Sequence, residues 1–287
     1  MLERYQTALH LIEQAKQTQA TTLSLNGWHQ CPLGRIPPEI GQLPHLKKLD
    51  LGFNRLTELP PEIGQLTQLE TLSLSHNNLR SLPPDIGRLT KLTHISIDQN
   101  PLTDLPDTFW QLTQLQSLHL RTTQLSTLSP HIGRLNHLIS LDVRWNPIHL
   151  LPPEIGQLKQ LQRLYLLSAK LHSLPPEIGQ LTHLRILDVS NNQLTELPPE
   201  IGTLSNLRYL ELTGNQISQL PHTLGQLSHL QYLNVRANLL HVIPNSFTQL
   251  TQLHELCLKS NPLDTFPDEI HNKSPQELIA YILRRQT

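Results

Sequence analysis

Few residues here suit chemistry. Of 287 residues only 2 are cysteine and 1 is methionine, and aromatics make up just 4%. Cys31 and Cys257 stand near opposite ends of the chain, so no disulfide framework is expected and a reducing, cytosolic setting fits. Charge of one sign is missing too. With 22 Lys plus Arg against 23 Asp plus Glu the net charge is −1, and no basic field exists to recruit nucleic acid or an anionic membrane. No apolar run approaches the roughly 18 residues of a membrane span. The opening MLERYQTALHLIEQAKQTQA has charges among its apolar residues and no cleavage site, which excludes a signal peptide.

What is abundant is leucine, in a strict period. Leu46, Leu69, Leu92 and their successors to Leu253 recur every 23 residues, ten times. Each opens the frame L-x-x-L-x-L-x-x-N-x-L, as in LKKLDLGFNRL (46–56), and most are followed by a stretch such as LPPEIGQL (59–66). The alternation in L-x-L has period two, so Leu49 and Leu51 face one side while Lys48 and Asp50 face the other. One strand cannot bury that leucine face alone, whereas stacked strands can, as a parallel sheet. The 23 prolines, many paired, break regular helix opposite the strands, where 3₁₀ or irregular segments are expected.

The ninth position carries Asn54, Asn77, Asn100, Asn146, Asn192, Asn215, Asn238 and Asn261. A buried amide there can satisfy backbone groups freed where the strand turns away. Thr123 can still bond through its hydroxyl, but Ala169 cannot, so the ladder should be weakest around 161–183. The first unit needs three extra residues between Leu25 and Leu33 and places Cys31 in the asparagine position. Leu2, Tyr5, Leu9 and Ile12 have helical spacing, which predicts an amphipathic helix over about 2–17. Ser274-Pro275-Gln276-Glu277 reads as a capping box opening a second helix, with Leu278, Ile279, Ile282 and Leu283 as its apolar face. The expected organisation is a capping helix (1–19), about eleven repeats (20–270) and a second capping helix (271–287).

These motifs resemble the leucine-rich repeat family over about residues 20–270. The resemblance implies an α/β fold, a right-handed horseshoe solenoid with a concave parallel sheet and an asparagine ladder between repeats. The 23-residue LPxxIGxLxxL unit is similar to Ras-group and bacterial Roco-type repeat proteins, as are the flanks ALHLIEQAKQTQATTLSLNG and SPQELIAYILR. That similarity implies intracellular signalling, with a small GTPase or another signalling protein as partner. The alternative it raises is a sensor segment of a larger Roco-type GTPase or other NTPase. A Ras-like domain would follow the last helix in the Roco family; this sequence does not include one, so GTPase activity is not expected to carry over.

No catalytic motif appears: there is no phosphate-binding glycine loop, no H-E-x-x-H and no C-x-x-C. His137, His183 and His229 share a column, but neighbours stand about 10 Å apart at ordinary strand spacing, too far for shared metal ligation. Cys257 lies outward with no base beside it in the sequence, so neither an enzyme nor a metal or cofactor is expected. The variable information sits on the outward strand positions. Early repeats place small polar residues there; from Arg121 onward the face fills with large ones. Arg121, Asp142, Arg144, Trp145, Arg163, Tyr165, Leu167, Tyr209, Tyr232 and Arg236 are therefore the expected contacts of a protein partner bound by a monomer, because Arg, Tyr and Trp carry most interface energy. Arg121 and Arg144 face each other across adjacent strands, an arrangement that Asp98 and Asp142 are expected to offset. Exchange of Arg144 for Glu together with Trp145 for Ala is expected to leave the fold intact. Trp145 should be uncovered, since its column neighbours Thr122 and Ser168 are small. Trp110, in place of a turn glycine, should pack against a neighbouring turn.

Overall fold

The computed structural model describes residues 2–27, 32–263 and 273–286. By internal contacts the chain forms two compact units: Met1–Ser126 with Arg134–Asn146, and Thr127–Gly133 with Pro147–Thr287.

The first unit opens with α1 (Leu2–Gln17) and continues with β1 (Thr22–Ser24), β2 (Lys48–Asp50), β3 (Thr71–Ser73), β4 (His94–Ser96), β5 (Ser117–His119) and β6 (Ser140–Asp142). The strands pair in parallel and in chain order, with leucine opposite leucine or isoleucine throughout: Leu49↔Leu72, Leu72↔Ile95, Ile95↔Leu118, Leu118↔Leu141. The pairing Leu23↔Leu49 spans 26 residues rather than 23, which is where the three extra residues of the first repeat are absorbed. Cys31 itself lies outside the described residues. Leu33, two positions on, donates its N–H to Asn54 Oδ1 (3.1 Å).

The second unit repeats the plan with β7 (Arg163–Tyr165), β8 (Ile186–Asp188), β9 (Tyr209–Glu211), β10 (Tyr232–Asn234) and β11 (Glu255–Cys257), again parallel and in register, and ends in α2 (Pro275–Gln286). Opposite the strands in both units lie five-residue 3₁₀ turns such as Pro61–Gln65 and Pro176–Gln180, each entered from an extended proline. The second proline of each pair fits the first turn, where its missing N–H is not needed. The glycine that closes the turn is sterically required: a Cβ on Gly64 would come within 2.6 Å of the Asp85 carbonyl oxygen. At one such place stands Trp110, which is buried with its ring edge-on to Phe109 (5.4 Å).

Leucines and isoleucines fill the interior between strands and turns, and the asparagine ladder closes it. Asn77 is representative. Its amide nitrogen donates to the carbonyls of Leu51 (3.0 Å) and Leu74 (2.8 Å), while its oxygen accepts from the N–H groups of Asn54 (3.0 Å) and Leu56 (2.9 Å). Four backbone groups of two repeats are thus satisfied by one side chain, the arrangement that burial of irregular backbone demands. Thr123 keeps a shorter version, donating to the Leu120 carbonyl (3.1 Å), and Leu102 N–H turns locally to the Asn100 carbonyl (2.8 Å) instead. Ala169 contributes only its N–H, which Asn192 accepts (3.1 Å).

The helices differ in detail from expectation. In α1 the fully buried residues are Ala8, Ile12 and Ala15, while Tyr5 and Leu9 are half-buried. Alanines at i and i+7 let the helix approach the first 3₁₀ turn closely, so the seam runs along the small residues. In α2 the capping box is formed: Ser274 N–H and hydroxyl both donate to Glu277 Oε2 (3.0 and 2.8 Å). Those bonds hold the Glu277 carboxyl below its ordinary range.

Candidate partner-binding surface

Just beyond β2 to β11 the chain reverses through a residue in the left-handed region, joined by a second, Arg55 or Lys170, after β2 and β7. Phe53, His76, Gln99, Thr122 and Trp145 occupy this position in the first unit (φ 51–59°), and Ser168, Asn191, Gly214, Ala237 and Ser260 occupy it in the second (φ 51–69°). Left-handed backbone disfavours any residue with a Cβ and a β-branched or bulky one most of all. Trp145 is therefore held where glycine or asparagine would be cheaper, at the rim of the strand face. Its side chain is 44% exposed, beside exposed Thr122.

Two arginines reach this indole. The guanidinium of Arg121 lies 4.9 Å from the ring centroid and that of Arg144 5.7 Å. The like charges expected to confront each other are separated by different means. Arg144, just past β6, grips Asp142 at the strand's end, Nε to Oδ1 at 2.9 Å and Nη2 to Oδ2 at 2.6 Å. Asp142 is only 3% exposed and is spent on that fork, so it positions Arg144 rather than facing a partner. Asp98 does not pair with the Arg121 side chain; it accepts the Arg121 backbone N–H at 2.7 Å. Burial raises the Asp98 carboxyl above its usual range, against the lowering pull of that hydrogen bond and of nearby His119. The shared column thus puts Arg121, Arg144 and Trp145 into one cluster. Exchanging Arg144 for Glu would set a second carboxylate against buried Asp142, so that substitution is now expected to cost stability instead of leaving the fold untouched.

The other expected residues lie in the second unit. Arg163 and Arg236 are exposed, while Tyr165 and Leu167 are half-buried. Tyr209 and Tyr232 stack face to face, centroids 4.1 Å apart and planes 5° off parallel. Two residues absent from the sequence-based set join them. Glu211 Oε2 accepts from Tyr232 Oη and from Asn234 Nδ2, both at 3.1 Å. Burial chiefly pushes both phenols further up, with the Tyr209 hydroxyl adding to the rise at Tyr232 and the Glu211 carboxylate adding a smaller rise at each, so they remain neutral donors. Their signal was the register itself: Glu211 and Asn234 occupy the same column. The first unit holds a similar missed contact, the stack of Phe53 on His76 (4.0 Å), in the column of Trp145.

Reactive groups are subdued. Cys257 donates to Glu255 Oε1 (3.4 Å), and burial with that carboxylate pushes its thiol up to about 11. Histidines of the shared column act as turn ties, since His137 and His229 donate from Nδ1 to the carbonyls of Thr113 (3.1 Å) and Ser205 (2.9 Å) in the preceding repeat. Among the described residues no group of three or more His, Cys, Asp or Glu could hold a metal ion, and no helix is long and apolar enough to cross a membrane.

Comparison with known proteins agrees with this architecture. A family model described as a leucine-rich repeat region matches residues 36–120 and 199–283, and a second, described as a leucine rich repeat, matches 159–217. Neither describes an enzyme. No curated protein matches the chain. Among solved structures, a leucine-rich repeat protein of Leptospira interrogans is 32% identical, with a TM-score of 0.54 over 81% of this chain and 77% of its own. A TDR receptor is 31% identical, with a TM-score of 0.79 over 88% of this chain and 45% of the receptor. The Arabidopsis receptor kinase HAESA, in complex with the peptide hormone IDA and the co-receptor SERK1, is 26% identical, with a TM-score of 0.72 over 85% and 47%. The chain spans less than half the length of either receptor. It belongs to the leucine-rich repeat family, whose fold serves as a protein-interaction module.

Proposed function

We propose that this leucine-rich repeat chain binds a protein partner on its outward strand face, with Trp145 as an anchor of the interface. The observation that carries the reading is the exposure of Trp145 on left-handed backbone, flanked by two arginines. A large aromatic kept where the backbone disfavours it, with its ring open to solvent, suits a contact made with another molecule. The structure of HAESA in complex with a peptide hormone supports peptide or protein recognition by this fold. The repeat type and its flanks support an intracellular signalling partner, such as a small GTPase, engaged by a cytosolic monomer. The same flanks favour a second reading, in which the chain is the sensor segment of a Roco-type GTPase.

The test is Trp145→Gly, which suits the local backbone and removes the ring. Wild-type and variant chains are used as baits in lysate of the source organism, with bound proteins quantified by mass spectrometry. Loss of the wild-type partner, with an unchanged melting temperature, supports the reading. Equal capture by both baits would refute it.

A further inference from the structure

One charged side chain on this surface has no hydrogen-bonded acceptor, although Asp98 attracts it at a distance. The Arg121 Nε is buried with no hydrogen-bond acceptor, and among the described residues no carboxylate forms an ion pair with its guanidinium. The neighbouring acids are committed elsewhere: Asp142 to the Arg144 fork, Asp98 to a backbone N–H. The residue is half-buried, so a bound acceptor would meet the guanidinium at its remaining N–H groups rather than at the enclosed Nε. The guanidinium rests instead on the Trp145 indole, 4.9 Å from its centroid, which orients its plane while supplying no acceptor.

Resting on the reading of this face as a partner surface, we propose that Arg121 receives the side-chain carboxylate of an acidic peptide segment in the partner, while the exposed indole of Trp145 takes the apolar residue beside it. The planar guanidinium fork matches a carboxylate in two-point geometry, which a single ammonium does not. Local charge sets the ligand's valence. Arg144 is committed to Asp142 and Asp98 bonds only the Arg121 backbone N–H, so one added negative charge finds one guanidinium without a bonded acceptor. A run of phosphates would meet two carboxylates. The apolar half of the determinant follows from Trp145, whose open surface is contiguous with the charge.

The full-length chain is screened against random heptapeptides displayed as an internal loop of a carrier, so that no free terminus is present. Enriched peptides are expected to share Asp or Glu next to Leu, Ile or Phe. In the best synthetic peptide, capped at both ends, Asp→Asn or Glu→Gln should weaken binding about tenfold or more, the scale of a charge-assisted hydrogen bond. That penalty should vanish against Arg121→Gln and be partly kept against Arg121→Lys, which guards against a folding defect in the first variant. Enriched peptides without an acid would overturn the proposal, as would no enrichment at all, or an equal penalty in the Arg121→Gln background. So would binding only by peptides with a free C-terminal carboxylate, which would assign the site to chain ends. Each of these results leaves the wider reading standing if Trp145→Gly still loses the cellular partner. Partner capture unaffected by that variant ends the wider reading, whatever the peptides do.

Discussion

Arg144 closes a fork on Asp142, the last residue of β6 and two positions earlier, with Nη2 2.6 Å from Oδ2 and Nε 2.9 Å from Oδ1. The acid is 3% exposed and the base about a quarter exposed, so the pair stands at the boundary of the core. Removing the cation would strand a buried carboxylate, and replacing it by another acid would do worse. Arg144→Glu should therefore destabilise the first unit by about 1–3 kcal/mol, the buried-pair figure reduced for solvent screening. Adding Asp142→Asn should recover most of that loss. Urea titration of the single and double variants measures both, and a neutral Arg144→Glu would show that the fork holds nothing in place.

Asp98 makes a prediction in pH. Its folded carboxyl is raised, chiefly by burial, so the native state binds this proton more readily than the unfolded chain does. Stability from this group is consequently present at low pH and lost as pH rises through the carboxylate range. Asp98→Asn keeps an oxygen for the Arg121 N–H and removes the buried charge. The variant should melt higher than wild type at pH 7, and the two curves should converge below about pH 4. A variant less stable at neutral pH would mean that the attraction of Arg121 and His119 outweighs burial.

The ladder can be tested at Asn146, which donates to the carbonyls of Leu120 (2.7 Å) and Val143 (2.9 Å) and accepts from Leu125 N–H (3.3 Å). Asn146→Ala leaves these buried groups without their partner and should cost about 2–4 kcal/mol. Asn146→Thr should cost less, since Thr123 fills this place one repeat earlier. For comparison, Leu141→Ala truncates a fully buried side chain and should cost about 2–5 kcal/mol. Chemical denaturation ranks the three.

Cys257, with its thiol raised to about 11, should alkylate slowly. In a Cys31→Ser background, iodoacetamide labelling at neutral pH should be about a hundredfold slower than for an ordinary thiol, and should accelerate only as pH passes 10. Glu255→Gln should speed it, because the carboxylate is a named cause of the shift. Fast labelling at pH 7 would revive a nucleophilic role.

Much of this was legible in the leucines. A 23-residue period with alternating L-x-L can only bury its apolar face by stacking, so the parallel pairing, its register and the 3₁₀ turns followed from spacing and prolines alone. So did the ladder, with Thr123 and Ala169 as its weak places. The helix face of α1 was misjudged because hydrophobicity nominates the largest residues, whereas close packing against a turn selects alanine at 8 and 15. Glu211 and Asn234 point outward by the alternation but were not among the expected contacts, since polar residues on an outward column look like solvated surface until two stacked tyrosine rings lie beside them.

By itself, then, the sequence determined which residues of LDVRWNPI hold the stack: period and alternation assign Leu141, Val143, Asn146 and Ile148 to the interior whatever surrounds them. Tertiary structure decided what the remaining letters do. Asp142 and Arg144 share a face by alternation, but only the fold shows that one is buried as the other's counter-ion. Arg121, 24 residues before Trp145, comes onto its indole only when adjacent repeats stack. Periodicity sets direction, in or out. The choice of partner among outward side chains depends on distances of a few ångströms between repeats, and no single strand contains that information.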